Sequence, residues 1–316
     1  MITTQIFAGN PLDRGDRQRR DEGWITKAAE SPRSKFLPVA GQRILVSTGN
    51  INGLGWLSHE QIRQMKSDSI PIFLGETDAT AYFAVDMSAL DLDTTAVPSG
   101  GGYSFHEARG AAEFVSREEA GIIAQAISQT NWHKSHRFCS SCGSPTAMRR
   151  GGQVRECANC SAQHFPRTDP VVIMVVSAQD YCLLGQSRGR MSRANMYSAL
   201  AGFMDQGETI EEAVSREVME EAGINIRNIR YFSSQPWPFP HSLMIGCHAD
   251  AVTTEINKDE EEMAEVKWFH RNEVRLALEG SSNVLQVPGP LAIAHHLIKA
   301  WANKDPGNAV NRQGAH

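Results

Sequence analysis

The chain has 316 residues, 41% of them hydrophobic, with 31 basic side chains against 36 acidic ones. That length predicts about two domains at roughly 150 residues each, and the apolar fraction excludes wholesale disorder. A net charge of −5 excludes an obligate nucleic-acid coat, which carries a strong basic excess, and the longest aliphatic run, 171–176, is far too short to span a membrane.

The N-terminus lacks a basic stretch followed by an apolar core, so no secretory leader is expected and the expected compartment is the cytoplasm. Residues 1–40 are polar, with a charged run at 13–22, and are expected to form a loosely ordered lead-in. Short apolar runs at 43–47, 70–74 and 81–85 predict strands, and the glycine-rich 99–102 predicts a loop. Ala120, Ile123, Ala124 and Ile127 recur at helical spacing over 116–132, where Ser116 and Glu119 suit a capping box. Residues 41–134 therefore predict a small N-terminal α+β domain. A cysteine-rich segment follows at 135–165. Over 166–303 the pattern is mixed, with strands predicted at 171–176, 181–185, 197–201, 226–233, 243–249 and 266–270. Helices are predicted at 209–222, closed by Gly223 as a left-handed cap, and at 291–303. Residues 304–316 are expected to fray, and no repeat of 20 to 50 residues is visible.

Six cysteines over this length are too few for a disulfide scaffold. Four of them form two C-x-x-C pairs, Cys139 with Cys142 and Cys157 with Cys160, separated by 14 residues that carry Gly151 and Gly152 at a hairpin turn. Each pair can bring two thiolates to one tetrahedral ion, so a structural zinc is predicted. Four sulfurs close the site and leave His136 and His164 as expected surface residues. Cys182 and Cys247 lie in apolar runs and are expected to be buried thiols. Arg137, Arg149, Arg150, Arg155 and Arg167 surround the cluster, which opens a nucleic-acid-binding alternative alongside simple solvation of a small domain.

The most informative stretch is 202–224, GFMDQGETIEEAVSREVMEEAGI. At 100° per residue, Ile210, Ala213, Val214 and Val218 define an apolar stripe, and Glu217 and Glu221 fall in its middle, with Glu220 at its edge. Burying an unpartnered carboxylate costs on the order of several kcal/mol, comparable to the stability of a domain, and two side by side repel. A divalent cation resolves both problems, and hard Mg²⁺ or Mn²⁺ prefers such oxygen ligands. Arg216 can orient a carboxylate from the flank, near Glu220 and Glu212, while Glu211 and Glu212 point away. Ten residues after this stretch comes SQPWPFPHS, 234–242. Its alternating prolines exclude a helix, stiffen the chain and disfavour a central strand, which leaves Trp237 and Phe239 with little freedom to lose on stacking against a flat ring.

Gly202, Glu208, Arg216, Glu217, Val218, Glu220, Glu221, Gly223 and Ile224 match every fixed position of G-x5-E-x7-R-E-U-x-E-E-x-G-U, a coincidence on the order of one in ten million by average usage. The chain thereby resembles the Nudix hydrolases. The array at 234–242 and the four-cysteine ribbon ahead of the box resemble the NADH pyrophosphatase subfamily, over roughly 40–303. The resemblance implies an α+β chain: an N-terminal α/β domain, a zinc ribbon, and a C-terminal α/β/α sandwich with a mixed sheet. It implies that Glu217, Glu220 and Glu221 ligate Mg²⁺ or Mn²⁺ or act through its water, with Glu208 and Arg216 orienting them. By position it adds Glu262 and the Ala201 carbonyl as metal ligands. It implies substrate contacts from Gln235, Pro236, Trp237, Pro238, Phe239, Pro240, His241 and Ser242, from Phe165, and from Arg109, Glu262 and Ala294.

The activity so implied is hydrolysis of the pyrophosphate of NAD(H) to nicotinamide mononucleotide and AMP, by a homodimer with no membrane partner. Removal of NAD caps from RNA 5′ ends is the same chemistry on another substrate. A non-catalytic zinc-ribbon binding protein is the third reading, which the carboxylates on the apolar stripe oppose.

Overall fold

The structure, a computed structural model, describes residues 5–49, 53–90 and 102–304. The core of the expected 99–102 loop and the expected tail from 305 onward lie outside the described residues. The chain divides into two compact units: Ile6–Thr168 with Pro236–Ser242, and Asp169–Gln235 with the chain from Leu243 onward.

The first unit opens with two helices, α1 (Asp16–Arg19) and α2 (Glu22–Glu30). Then come β1 (Lys35–Ala40), β2 (Arg43–Ser47), β3 (Gly53–Leu54), α3 (His59–Gln64), β4 (Ile72–Thr77), β5 (Thr80–Asp86), β6 (Tyr103–Glu107), α4 (Ala108–Ala111) and α5 (Arg117–Ser135). The strands form one sheet in the order β3-β2-β1-β5-β4, with β6 also on β2; among the described residues β1 and β5 pair in parallel and the other pairs are antiparallel. Its core gathers Phe36, Leu45, Leu57, Phe73, Phe83 and Val85. The expected capping box starts α5: the Ser116 hydroxyl accepts from Glu119 N–H, and the Glu119 carboxylate accepts from Ser116 N–H.

The expectation of a loosely ordered lead-in is corrected. Residues 5–40 hold α1, α2 and β1, and Phe7, Leu12 and Arg19 are buried. Arg19 is accommodated because its guanidinium donates to the carbonyls of Phe73 and Arg14, at 2.7 and 2.6 Å, so each buried N–H meets an acceptor. Burial still pulls its pKa down to about 10.

The ribbon follows within the same unit. β7 (Thr146–Arg149), β8 (Val154–Cys157) and β9 (Gln163–His164) form a small antiparallel sheet, and a one-turn 3-10 helix at Arg150–Gly152 makes the glycine turn between β7 and β8.

The second unit contains β10 (Asp169–Ala178), β11 (Tyr181–Ser187), α6 (Arg190–Arg193), β12 (Leu200–Phe203), α7 (Ile210–Ala222), β13 (Ile226–Trp237, whose last two residues fall in the first unit), β14 (Ser242–Ala251), β15 (Met263–His270), α8 (Arg271–Leu278) and α9 (Ile293–Ala302). Strand order is β13-β14-β10-β11-β15, with β12 also on β10. The apolar run of β10 is buried on both faces. Val172, Met174 and Val176 pack with Ala213, Val214 and Val218 of α7. Ile173 and Val175 pack with Val274 of α8 and Leu297, Ile298 and Trp301 of α9. This is an α/β/α sandwich. Side chains alternate across a strand while a helix buries a stripe, so a continuous apolar strand needs a helical layer on each side. Cys182 and Cys247 are fully buried. Among the described residues no helix is long and apolar enough to cross a membrane.

Candidate functional site

The acidic site is built on β12 and α7. The Thr209 hydroxyl caps α7 in a box with Glu212, and Gly223 ends it at φ 69°, a left-handed conformation that glycine adopts without a Cβ penalty. Glu212 thus serves the cap, and Arg216 makes its ion pairs elsewhere. Arg216 is forked onto Glu208, with Nε to Oε1 at 2.6 Å and Nη2 to Oε2 at 2.8 Å, and its Nη2 also donates to the Phe203 carbonyl at 2.9 Å. Its Nη1 donates to Glu217 at 2.8 Å and to Glu220 at 2.9 Å. One guanidinium therefore gathers three carboxylates. The Asp205 N–H adds a further donor to Glu208. Hydrogen bonds from Arg216 hold the Glu208 carboxyl down at about 2, and Glu208 in turn raises the Arg216 pKa.

Glu217 and Glu221 are both buried, whereas Glu220 is 56% exposed and Glu211 and Glu212 face solvent. Gly202 makes room for the pair. A Cβ on it would lie 2.0 Å from Glu217 Cδ, and its strand cannot retreat because Gly202 pairs with Val172 of β10. Burial pushes the Glu217 pKa up, against the pull of Arg216. Burial first, then the charge of Glu217, pushes Glu221 up to about 8. The Ala201 backbone N–H bonds the Glu221 carboxylate, and Glu221 Oε2 is buried with no hydrogen-bond partner. Glu262, on the turn before β15, is exposed and adds negative charge felt by both buried carboxylates.

An orphaned carboxylate oxygen beside a second buried carboxylate fits a hard divalent cation, whose charge would offset both. The expected trio does not converge on one point: Glu217 and Glu221 share the buried face, and Glu220 turns to Arg216. Among the described residues only the cysteine quartet brings three or more ligand atoms mutually within 4.8 Å.

In that quartet, Cys139 and Cys160 lie 3.6 Å apart and Cys142 and Cys157 3.5 Å apart, sulfur to sulfur. Hydrogen bonds from Ser144, its N–H foremost, pull the Cys142 thiol down to about 5, which favours the thiolate a soft tetrahedral cation needs. His164, expected to be a bystander, places Nε2 3.4 Å from the Cys139 sulfur. Arg155 is not a solvating arginine either: it is bonded to Thr146 and His133.

The proline array is divided in its roles. β13 runs on through Trp237 as an edge strand, where a proline costs no ladder bond, so 234–237 are extended without forming the central strand that the prolines disfavour. Gln235, expected to contact substrate, is fully buried: its amide donates to the Leu291 carbonyl and accepts from Ile293 N–H, both at 2.8 Å. It caps α9, whose own N-cap Ala292 has no side-chain acceptor. Ala294 is likewise a core residue of α9. Pro238 is buried, the Phe239–Pro240 bond is cis, and Pro236, His241 and Ser242 are half-buried. Trp237 and Phe239 are half-buried and meet edge to face at 5.4 Å. Arg109 lies over both rings, 5.1 and 4.4 Å from their centroids. Phe7 braces both, at 6.0 and 5.5 Å, a support that nothing in the polar N-terminal sequence signalled. Phe165 is 61% exposed.

Sheet, glycine cradle and carboxylate helix together define a Nudix domain, and the NUDIX domain family model matches residues 166–286. Two further models match, the NADH pyrophosphatase zinc ribbon domain over 134–165 and the NADH pyrophosphatase-like rudimentary NUDIX domain over 33–132. Relatives align along most of their length. The NAD-capped RNA hydrolase NUDT12 of Macaca fascicularis is 34% identical, over 95% of this chain and 74% of that one. The NAD-capped RNA hydrolase NudC of Mycobacterium bovis is 33% identical, over 92% of each. The mitochondrial NAD(P)H pyrophosphatase NUDT13 of Mus musculus is 36% identical, over 84% of this chain and 81% of that one. The chain belongs to the NADH pyrophosphatase family of Nudix hydrolases.

Proposed function

We propose that this enzyme hydrolyses the pyrophosphate of NAD(H), releasing nicotinamide mononucleotide and AMP, with Mg²⁺ or Mn²⁺ held by Glu217, Glu220 and Glu221 and assisted by Glu262 and the Ala201 carbonyl. The observation that carries the reading is the buried Glu221 Oε2 without a partner beside a second buried carboxylate. When bound, the cation supplies Lewis acidity to phosphate oxygens and to water. Glu208 fixes Arg216, and Arg216 sets the rotamers of Glu217 and Glu220. Glu221 holds the attacking water and takes its proton. Water attacks one phosphorus, the phosphate of the other nucleotide leaves, and no covalent enzyme intermediate forms. Trp237, Phe239 and Arg109 offer ring faces and a guanidinium to the dinucleotide, while Phe165 offers a ring without the hydroxyl that a tyrosine would add.

A second reading, removal of an NAD cap from RNA, is favoured by the two relatives that bear that name. The zinc held by Cys139, Cys142, Cys157 and Cys160 builds scaffold in either case, since four thiolates leave no open position. A homodimer follows the family likeness, and a cytoplasmic setting suits thiols that must stay reduced. The deciding experiment incubates the protein with Mg²⁺ or Mn²⁺ and NADH, NAD⁺, ADP-ribose or NAD-capped RNA. Release of AMP and nicotinamide mononucleotide from NADH supports the first reading. Turnover of capped RNA alone supports the second, and no turnover of any substrate refutes both.

A further inference from the structure

We propose that a cavity of about 570 Å³ between α5 and the ribbon hairpin of the first unit binds a nucleoside monophosphate, free or as part of an RNA chain. Its volume lies within the roughly 300–1,000 Å³ usual for small-molecule sites. Its lining combines two kinds of side chain. Ile70, Ile72 and Met148 are apolar, and Ile70 stays 69% exposed. Lys134, Arg137, Arg149 and Arg155 are cationic, with Arg155 directly across from Met148 in the β7–β8 register.

The cations differ in how they are held. Arg155 is fixed: Nε donates to the Thr146 hydroxyl at 2.7 Å, Nη2 to the Thr146 carbonyl at 2.7 Å, and Nη1 to His133 Nδ1 at 3.0 Å. His133 can accept there because its Nε2 donates to the Gly152 carbonyl at 2.8 Å. A guanidinium has about five N–H donors, so one on each terminal nitrogen of Arg155 is left for a ligand. Arg149 pairs weakly with Glu156 at 3.6 Å. Lys134 and Arg137 are exposed, and among the described residues neither has a carboxylate partner.

Asp86 is the one acid in the lining. It accepts from Ser88 N–H with one oxygen, which leaves the other for an exocyclic amine or a ribose hydroxyl. Cations without a cluster of carboxylates favour an anion taken directly rather than through a divalent metal. Apolar side chains beside them in the same lining suit a base joined to that anion. The site binds without cleaving, because nothing in its lining resembles the buried carboxylate pair of α7.

The test uses the full zinc-loaded chain and titration calorimetry with AMP, a 5′-phosphorylated hexaadenylate and inorganic phosphate. Lys134→Glu/Arg137→Glu is expected to weaken nucleotide binding by at least about tenfold, while NADH turnover stays within about two-fold. Loss in the AMP arm assigns a free nucleotide, and loss in the hexaadenylate arm alone assigns chain nucleotides. Ile70→Ser provides a second, uncharged probe should the charge reversals release zinc, and it should weaken AMP but not phosphate. Unchanged binding in both nucleotide arms overturns the proposal, as does inorganic phosphate binding as tightly as AMP. Neither result touches the assignment of the carboxylate site, which NADH turnover reports separately.

Discussion

Gly202→Ala should disable the enzyme by placing a single methyl carbon against Glu217. The added methyl carbon would stand 2.0 Å from Glu217 Cδ and from one carboxylate oxygen. Ordinary contact begins near 3.4 Å, so the carboxylate must move by about 1.4 Å, and a misplacement of about 1 Å can cost on the order of 10²-fold in rate. The backbone cannot absorb the shift, because Gly202 lies on β12 opposite Val172 in the sheet. Overpacking of this kind costs about 1–3 kcal/mol, or roughly 2–4 °C in Tm for each kcal/mol. NADH kinetics and thermal melts of the single variants, and of the double variant with Glu217→Ala, measure both effects. The double variant should melt higher than Gly202→Ala alone, since removing the carboxylate removes the clash and neighbouring substitutions do not add. Wild-type kcat/KM in Gly202→Ala, or strict additivity in the melts, would refute the claim that Gly202 cradles Glu217.

Three more predictions rest on particular contacts. Folding raises the Glu221 pKa from 4.5 to about 8, so the folded state favours the protonated form. Its burden is absent below pH 4.5, grows as pH rises and is complete above 8; in buffer without divalent cation, Glu221→Gln should flatten that decline in Tm. Cys139→Ser should release zinc and destabilise the chain, because zinc binding is coupled to folding; metal content and a melt check both, and wild-type values for the pair would remove the ribbon from the fold's support. Gln235→Leu leaves the Leu291 carbonyl and Ile293 N–H unsatisfied, which should cost about 1–3 kcal/mol while leaving KM for NADH nearly unchanged; a raised KM with normal stability would restore Gln235 to the substrate.

Helix α7 was legible in the sequence because its carboxylates break an apolar stripe and its cap residues flank that stripe, so pattern and chemistry coincide. The run 171–176 was legible for the same reason, and both helical layers cover it. Gln235 was not, because a motif does not tell which of its side chains are buried; Gln235 packs inward against α9, while Trp237, two residues on at the end of β13, is half-exposed. The N-terminal elements hid behind their charges. Arg19 can be buried because the nearby Arg14 carbonyl and the Phe73 carbonyl, distant in sequence, accept its donors, a compensation invisible to composition. Helix α8 escaped for a related reason: its cap is a histidine, His270, outside the usual capping residues.

The central claim is that the inward carboxylates of α7, not the acidity of the helix, perform the chemistry. Glu221 and Glu211 sit on the same helix, one buried and one exposed. Initial rates of NADH hydrolysis at saturating Mn²⁺ for Glu221→Gln and Glu211→Gln compare them directly. The account predicts a fall of roughly 10² to 10⁴ for Glu221→Gln, little rescue by further Mn²⁺, and wild-type turnover for Glu211→Gln. Equal rates in the two variants would contradict it.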